Sequence, residues 1–341
     1  MIRFGVLGLG HIGKRHAQSI GANPHTLLVS MADIRSCSDC GADEYLEENV
    51  SWCESLDELL AHSKDLDIVS ICTPNGLHAE QAIAILNAGL HVVLEKPIAL
   101  SVEDAEKIKA ASDALGKHVF CVMQNRFAPP SQWLKGVVDS GDLGQIRQVH
   151  IQCFWNRDDR YYSNGGWRGS LDLDGGPLFT QFSHFIDVMY WIFGGIKNPQ
   201  SRFHNQAHTH NTEFEDSGQI TFDFEKEGWG SFTFSTAVDR SNFESSLTLI
   251  AEKGTVRIAG QYMQEVVHCD IEGYTMPELP SSAPPNDYGA YKGSASNHHF
   301  VIDNVVNCIL NGSTIATPLS EGIDVVSIIE SMHLAGKRPL H

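Results

Sequence analysis

The residues of this 341-residue chain whose types and spacing could do chemistry begin at position 8. Gly8-Leu9-Gly10-His11-Ile12-Gly13 is a G-x-G-x-x-G turn, and an acid, Asp33, stands 20 residues after Gly13. Each has a reason in a dinucleotide site. Gly8 allows a sharp turn, Gly10 lets the backbone approach a pyrophosphate, and Gly13 lets the next helix sit close on a sheet. That helix starts at His11 and Ile12, and its N-terminus offers unpaired N–H groups and the positive end of its dipole to the phosphates. Asp33 is placed to accept from ribose hydroxyls. Its charge favours NAD over NADP, because a 2′-phosphate would meet a carboxylate. Arg35, two residues on, weakens that preference.

A glycine turn of this kind gains meaning only from its flanks. Here Ile2-Arg3-Phe4-Gly5-Val6-Leu7 precedes it as an apolar run, a helical pattern follows to Ile20, and Leu27-Leu28-Val29-Ser30-Met31-Ala32 runs into Asp33. The alternation continues. Ser55-Leu56-Asp57-Glu58 opens a short helix with a capping-box pattern. Residues 66–72 read as a strand ending at Thr73-Pro74-Asn75, with His78 on the helix after it. Residues 91–94 form the next strand, ending at Glu95-Lys96-Pro97. A helix capped by Ser101 and stopped by Gly116 leads to a strand over 118–123. This pitch predicts α/β architecture, a doubly wound parallel sheet over residues 1–123. Ligands of such sheets lie outside the carboxyl ends of the strands. Gly8, Asp33, Thr73, Asn75, Glu95, Lys96 and Asn125 fall at or just after those ends, so one cleft is expected to gather them.

After Asn125 the pattern changes, and residues 124–341 read as a second, α+β domain. A helix follows Pro129-Pro130 to about residue 140, and a strand spans about 145–155. Residues 156–173 form a polar, aromatic, arginine-bearing loop. One helix is expected from Asp174-Gly175-Gly176-Pro177 to Gly194-Gly195. Long strands with alternating faces fill 201–259 and suit a large, mostly antiparallel sheet. Residues 277–296 read as loop, and helices over about 297–310 and 321–334 follow.

The glycine turn, Thr73-Pro74-Asn75 with His78, and Glu95-Lys96-Pro97 after the next strand resemble the Gfo/Idh/MocA family of sugar oxidoreductases. The resemblance implies an NAD-dependent dehydrogenase, a cis Lys96–Pro97 bond and a catalytic pair, Lys96 and His184. The chemistry is coherent. A cofactor-facing lysine loses its charge easily, can hydrogen-bond a reacting hydroxyl and can take its proton as hydride leaves. An imidazole titrates near neutral pH and could serve as general base. The family commonly has an aspartate four residues before the histidine. Thr180 stands there, followed by Gln181, so the full lysine–aspartate–histidine scheme is missing a member. Trp155-Asn156-Arg157, Tyr161-Tyr162, Trp167-Arg168-Gly169-Ser170 and Asp174-Gly175-Gly176 are similar to the family's UDP-N-acetylglucosaminuronate 3-dehydrogenases. Such a substrate carries a pyrophosphate and a carboxylate, and arginine forks suit both. Arg157, Tyr161, Arg168, Thr180, Gln181, Lys96 and His184 are the expected substrate contacts. The alternatives are a dehydrogenase of a free polyol or monosaccharide such as inositol, and a non-catalytic NAD-binding regulator. Family analogy also implies a homo-oligomer, a dimer or tetramer.

Composition bounds these readings. The formal net charge of −18 speaks against nucleic acid as a partner. No apolar run approaches the ~20 residues of a membrane span. The opening strand lacks a charged-then-apolar pattern, so no export signal is expected. Of the eight cysteines, Cys37-Ser38-Asp39-Cys40 forms a C-x-x-C without a second ligand pair nearby, read as two thiols in a loop, and the cytoplasm fits best. His204, His208, His210, His298 and His299 do not have the spacing of a known metal site and read as structural or surface residues. Hydride transfer to NAD needs no metal, and none is expected.

Overall fold

The structure is a computed structural model and describes residues 1–162, 166–289 and 291–336. The chain divides into two compact units, Met1–Met123 with His298–Ile323, and Gln124–Asn297 with the segment from Asp324 onward. In the first unit, β1 (Ile2–Leu7), β2 (Thr26–Ala32), β3 (Ser51–Cys53), β4 (Ile68–Ile71), β5 (His91–Leu94) and β6 (Val119–Cys121) form one sheet in the order β3-β2-β1-β4-β5-β6. Every pairing is parallel. The strand order reverses between β1 and β4, the switch point at which such sheets bind ligands. Strands covered on both faces need apolar residues throughout, and β4 is buried at all four positions.

Between the strands run α1 (His11–Ala22), α2 (Cys37–Cys40), α3 (Leu56–Ala61), α4 (His78–Asn87) and α5 (Val102–Leu115). Their ends follow the local chemistry of the sequence. Ser55 accepts from the Glu58 N–H at 3.2 Å and Ser101 from that of Asp104 at 3.1 Å. Gly116 ends α5 at φ 61°, a left-handed conformation that suits glycine. The Cys37–Cys40 segment is a helical turn capped by Ser36, not open loop. Burial pushes the Cys40 thiol up to about 11, which makes it a poor nucleophile.

In the second unit, β7 (Ile146–Phe154), β8 (Ile196–His204), β9 (Ser217–Phe224), β10 (Trp229–Ser235), β11 (Glu244–Ala251), β12 (Gly254–Ala259) and β13 (Glu265–Ile271) form a seven-stranded sheet in the order β13-β12-β11-β7-β10-β9-β8. All its pairings are antiparallel except β7 with β10. Burial in β10 alternates residue by residue, so one face packs and the other does not. The unit's helices are α6 (Pro129–Ser140), α7 (Pro177–Thr180) and α8 (Ser183–Phe193). The single helix expected over 174–194 is therefore two. The N–H groups of Gln181 and Phe182 both bond the Pro177 carbonyl, at 3.0 and 2.8 Å, which breaks the regular ladder between them. Phe182 and Phe185 then pack on Trp155, each with ring centroids 5.7 Å away. A short hairpin, β14 (Pro285–Asp287) and β15 (Lys292–Ala295), occupies part of the stretch expected as loop.

The last helices are α9 (His298–Asn311) and α10 (Leu319–Ala335). Residues 298–323 belong with the first unit, where the sequence pattern had suggested one continuous domain over 124–341. The reason is edge protection. Strand β6 ends its sheet, and Cys121 trades backbone and hydroxyl hydrogen bonds with Thr317, at 3.1 and 2.6 Å. Asn23, just past α1, also donates to Asp303 of α9 at 2.7 Å. Among the described residues, no helix is long and apolar enough to cross a membrane.

Candidate active site: a dinucleotide cradle and an unpaired arginine pair

The glycine turn is built as tightly as its sequence requires. Gly8 has φ 89°, and a Cβ there would meet the Cys72 carbonyl carbon and oxygen at 2.8 Å. A Cβ on Gly13 would lie 1.9 Å from the Gly8 oxygen, so that glycine sets how close α1 comes to the turn. A Cβ on Gly10 would meet nothing within 4 Å. The space in front of Gly10 is where a pyrophosphate can reach the backbone, so the turn fits a dinucleotide. His11 is exposed and Ile12 half-buried at the start of α1.

Asp33 is buried beside this turn and accepts from the Leu9 N–H at 2.7 Å. Arg35 closes on it from the other side. Its Nε donates to Oδ1 and its Nη2 to Oδ2, both at 3.0 Å. Burial pushes the Asp33 carboxyl up, but the Arg35 and Leu9 hydrogen bonds outweigh it and hold the group below its ordinary range. Asp33 is thus a firm carboxylate whose oxygens already have partners. Ribose hydroxyls would share those oxygens with an arginine side chain that is half-exposed and able to swing.

The other strand ends in this unit divide their work. Thr73 donates to Gln81 at 2.6 Å, and Asn75 is buried in the turn before α4. His78 is 1% exposed, with Nδ1 2.7 Å from the Pro97 carbonyl and Nε2 3.0 Å from that of Thr73. Both ring nitrogens face backbone carbonyls, and a neutral ring can donate to one of them, so His78 links the turn at Thr73 to the Lys96–Pro97 loop. The Lys96–Pro97 peptide is cis. Glu95 is likewise turned inward. It receives the Lys96 N–H at 3.2 Å and faces His16 and His298. Lys96 is half-buried between these two supported residues.

Asn125 lies in the second unit, buried, and accepts from Ser294 at 2.7 Å. Its neighbour Arg126 forms a buried ion pair with Asp187, Nη2 to Oδ1 at 2.5 Å. That pair anchors α8, which carries His184 at its second position, 8% exposed. Thr180 does not present a free hydroxyl. Its Oγ1 donates to the Asp174 carbonyl at 2.9 Å and touches the Asp174 carboxylate, whose Oδ2 takes the Gly169 N–H at 2.9 Å.

Around these residues lies a cluster of arginines and aromatic rings. The Arg157 guanidinium is buried 4.9 Å from the Trp155 ring centroid and 5.0 Å from those of Tyr161 and Tyr291. It donates to the carbonyls of Asn156 and Lys292 and to Asn242, at 2.5, 3.1 and 3.1 Å. Arg168 stacks 4.4 Å from the Tyr161 centroid and donates to the Tyr291 hydroxyl at 2.8 Å. Among the described residues, neither arginine forms an ion pair with a carboxylate, and the Nε of each has no hydrogen-bond partner. Arg160 differs: it pairs with Asp158, while Asp159 receives His210 and Asn211. Tyr161 accepts from Gln181 Nε2 at 2.8 Å, and the buried Gln181 Oε1 has no partner. Burial pushes the Tyr161 phenol up to about 12, so it stays a neutral hydroxyl. Two guanidinium groups thus share aromatic faces, and the Asp174 carboxylate acts on Arg168 through space. Tyr291, Asn242 and Arg126 were not singled out from the sequence, and Asp174 was named only as part of the Asp174-Gly175-Gly176 motif. Only Asp174 carried a signal, standing directly before Gly175-Gly176.

Fold and site together define a two-domain nicotinamide-binding oxidoreductase. Residues 2–122 match the oxidoreductase family's NAD-binding Rossmann fold, and residues 131–257 match the GFO/IDH/MocA C-terminal domain. The chain belongs to the Gfo/Idh/MocA family, and its N-terminal domain is an NAD-binding Rossmann domain. Among solved structures it is similar to the WlbA dehydrogenase of Bordetella pertussis in complex with NADH and UDP-GlcNAcA. That match has a TM-score of 0.86 and 29% identity, and it covers 98% of this chain and 96% of that one. Among curated proteins it is 32% identical over 206 residues to a 1-carboxy-3-chloro-3,4-dihydroxycyclohexa-1,5-diene dehydrogenase of Comamonas testosteroni, covering 57% of this chain and 48% of the relative. It is 28% identical over 194 residues to an inositol 2-dehydrogenase of Salmonella paratyphi B, covering 56% and 54%. These matches span about half the length of the curated relatives.

Proposed function

We propose that this protein is an NAD-dependent dehydrogenase that oxidises the C3 hydroxyl of a nucleotide-activated sugar acid, UDP-N-acetylglucosaminuronic acid, to a 3-keto sugar. The carrying observation is the pair Arg157 and Arg168, two clustered guanidinium groups without a carboxylate partner. An anionic substrate supplies the missing counter-ion, at its carboxylate or its pyrophosphate. Gln181 Oε1, buried and unpaired, suits a sugar hydroxyl or the acetamido N–H. The whole-length similarity to a dehydrogenase crystallised with UDP-GlcNAcA supports the same substrate class.

When bound, NAD+ accepts the hydride from C3. The chain handles the accompanying proton. Lys96, as neutral amine, hydrogen-bonds the C3 hydroxyl and takes its proton as the carbonyl forms. His184 stands as the second base. His78 and Glu95 hold the Lys96 loop from either side.

A second reading, oxidation of a free polyol, is favoured by the similarity to inositol 2-dehydrogenase. It leaves the arginine pair without a task. A regulator that only binds NAD would not need Lys96 and His184. We also propose a cytoplasmic homo-oligomer, dimer or tetramer, associating through the unpacked face of the seven-stranded sheet, where Trp229 is 43% exposed. The test of function is nicotinamide absorbance with UDP-N-acetylglucosaminuronic acid beside myo-inositol and free glucose. Reduction of NAD+ with the UDP-sugar acid alone is expected. Turnover of a free sugar with no response to the UDP-sugar acid overturns the reading.

A further inference from the structure

We propose that His16, Glu95 and His298 form a site for one divalent transition-metal ion of the zinc class. The three residues come from α1, from the residue after β5 and from the first residue of α9, and all lie in the first unit. They are 1%, 5% and 1% exposed. One ligand atom from each lies within 4.8 Å of the others. His16 Nε2 is 3.0 Å and His298 Nε2 3.6 Å from the same oxygen, Glu95 Oε1. Ligands held at ~2.0–2.1 Å around a tetrahedral ion stand roughly 3.3–3.4 Å apart, and the two measured edges bracket that spacing.

Two independent observations ask for an occupant. His298 Nε2 points at Glu95 from 3.6 Å and has no hydrogen-bond partner, although the ring is buried. Buried polar atoms are normally paired, and an unplaced ion is one of the few explanations when they are not. Glu95, for its part, is a buried carboxylate whose ion-pair partners among the described residues are these two histidines. A dication answers both needs, since it takes the lone pairs of two neutral imidazoles and balances the carboxylate. Two nitrogens and one oxygen suit zinc or its neighbours and not magnesium or calcium, which prefer all-oxygen sets. The fourth position is left for water.

Such an ion would tie together three segments that are distant in sequence. Because Glu95 also receives the Lys96 N–H, the ion would hold that loop from beneath. The site takes no part in hydride transfer, and it stands whether or not the proposed substrate is right.

The test uses the full chain without an oligohistidine tag, stripped with a chelator and titrated with Co2+ and Zn2+. The expected result is about one equivalent bound, with the visible bands of tetrahedral Co2+, and a thermal midpoint raised by Zn2+. His298→Asn should weaken Co2+ binding by at least roughly tenfold. Glu95→Gln, nearly the same shape, should do the same and serves where His298→Asn does not fold. Cys37→Ser with Cys40→Ser removes the chain's C-x-x-C pair and should leave binding unchanged. The proposal is overturned if the stripped protein takes up less than about a tenth of an equivalent, if His298→Asn binds like the wild type, or if the cysteine variant abolishes binding. Glu95 would then be a carboxylate accepting from two imidazoles, with a water at His298.

Discussion

Replacing Arg168 with Gln isolates the proposed anion receptor better than any other change. Arg157 is threaded through three hydrogen bonds and three rings, so its loss would disturb the fold as well as the ligand. Among the described residues Arg168 donates to Tyr291, has a further polar contact with Tyr161, and stacks on Tyr161, Trp167 and Tyr291. Losing a hydrogen bond worth about 1 kcal/mol and a cation–π contact worth about 0.5–1 kcal/mol should leave the protein folded. Binding should suffer more. Truncating one side of a desolvated charge pair costs about 2–5 kcal/mol. Arg157 remains to hold part of the anion, so the lower end applies, about 2–3 kcal/mol, or roughly 30- to 150-fold in Kd. Calorimetry in the presence of NADH reads this directly, with UDP-N-acetylglucosaminuronic acid and with UDP-N-acetylglucosamine, which lacks the carboxylate. If Arg168 meets the carboxylate, the penalty vanishes on the second ligand. If it meets the pyrophosphate, both ligands lose equally. A change below about threefold on both, in a folded variant, refutes the receptor.

Lys96→Met keeps the chain length and removes the proton-handling nitrogen, so turnover should collapse while NAD affinity holds; near-normal turnover would exclude a catalytic role. His184→Asn should cut the rate less, because Lys96 still accepts the proton. Asp33→Ser should narrow the preference for NAD over NADP and free Arg35 toward a 2′-phosphate, read by calorimetry with each cofactor. Stability should fall as pH drops from 6.5 toward 4, partly through His91. Burial, then Lys117 and His118, lower its imidazole from 6.5 to about 4, and its Nδ1 must stay unprotonated to accept the His118 N–H at 2.9 Å. The unfolded chain binds that proton first, so this contribution is intact above 6.5 and lost progressively below it. His91→Asn should flatten the difference between urea midpoints at pH 7.5 and 5.

Most of the first unit was legible because most of its elements are specified locally. A buried parallel strand needs an unbroken apolar run, and β5 begins and ends where the run His91-Val92-Val93-Leu94 does. Serines at 55 and 101 and the glycine at 116 announce their helix ends from side-chain chemistry alone. The second unit hides more of its logic in long-range contacts. Gln181 and Phe182 sharing the Pro177 carbonyl is a choice of backbone path, and the apolar pattern of 177–193 looks the same with or without the break. Residues 285–287 and 292–295 have little apolar alternation, yet they pair antiparallel, and Tyr291 lies against both arginines.

The site follows the same division. The identities of Arg157, Arg168, Gln181 and Lys96 could be read as chemistry, but which of their atoms remain unpaired could not. In a chain with 42 acidic residues, the neutral expectation for any arginine is a nearby carboxylate. Arg160 meets that expectation with Asp158, only two residues away, where a short loop makes pairing easy. Arg157 and Arg168 form no such ion pair among the described residues: Trp155, Tyr161 and Tyr291 take up their faces, and the Asp174 carboxylate acts on Arg168 only through space. Thr180 shows the reverse. It was expected to face a substrate, and instead its hydroxyl is spent on Asp174, six residues back across the glycine pair. An aspartate is thus present in this region, but bound into the start of α7 by Thr180 and the Gly169 N–H. Burial pushes its carboxyl up, against the pull of those hydrogen bonds and of Arg168. Position 180, four residues before His184, thus carries a hydroxyl and no carboxylate. On the proposed mechanism Lys96 takes the larger share of the proton transfer, and its removal is expected to cost more than that of His184.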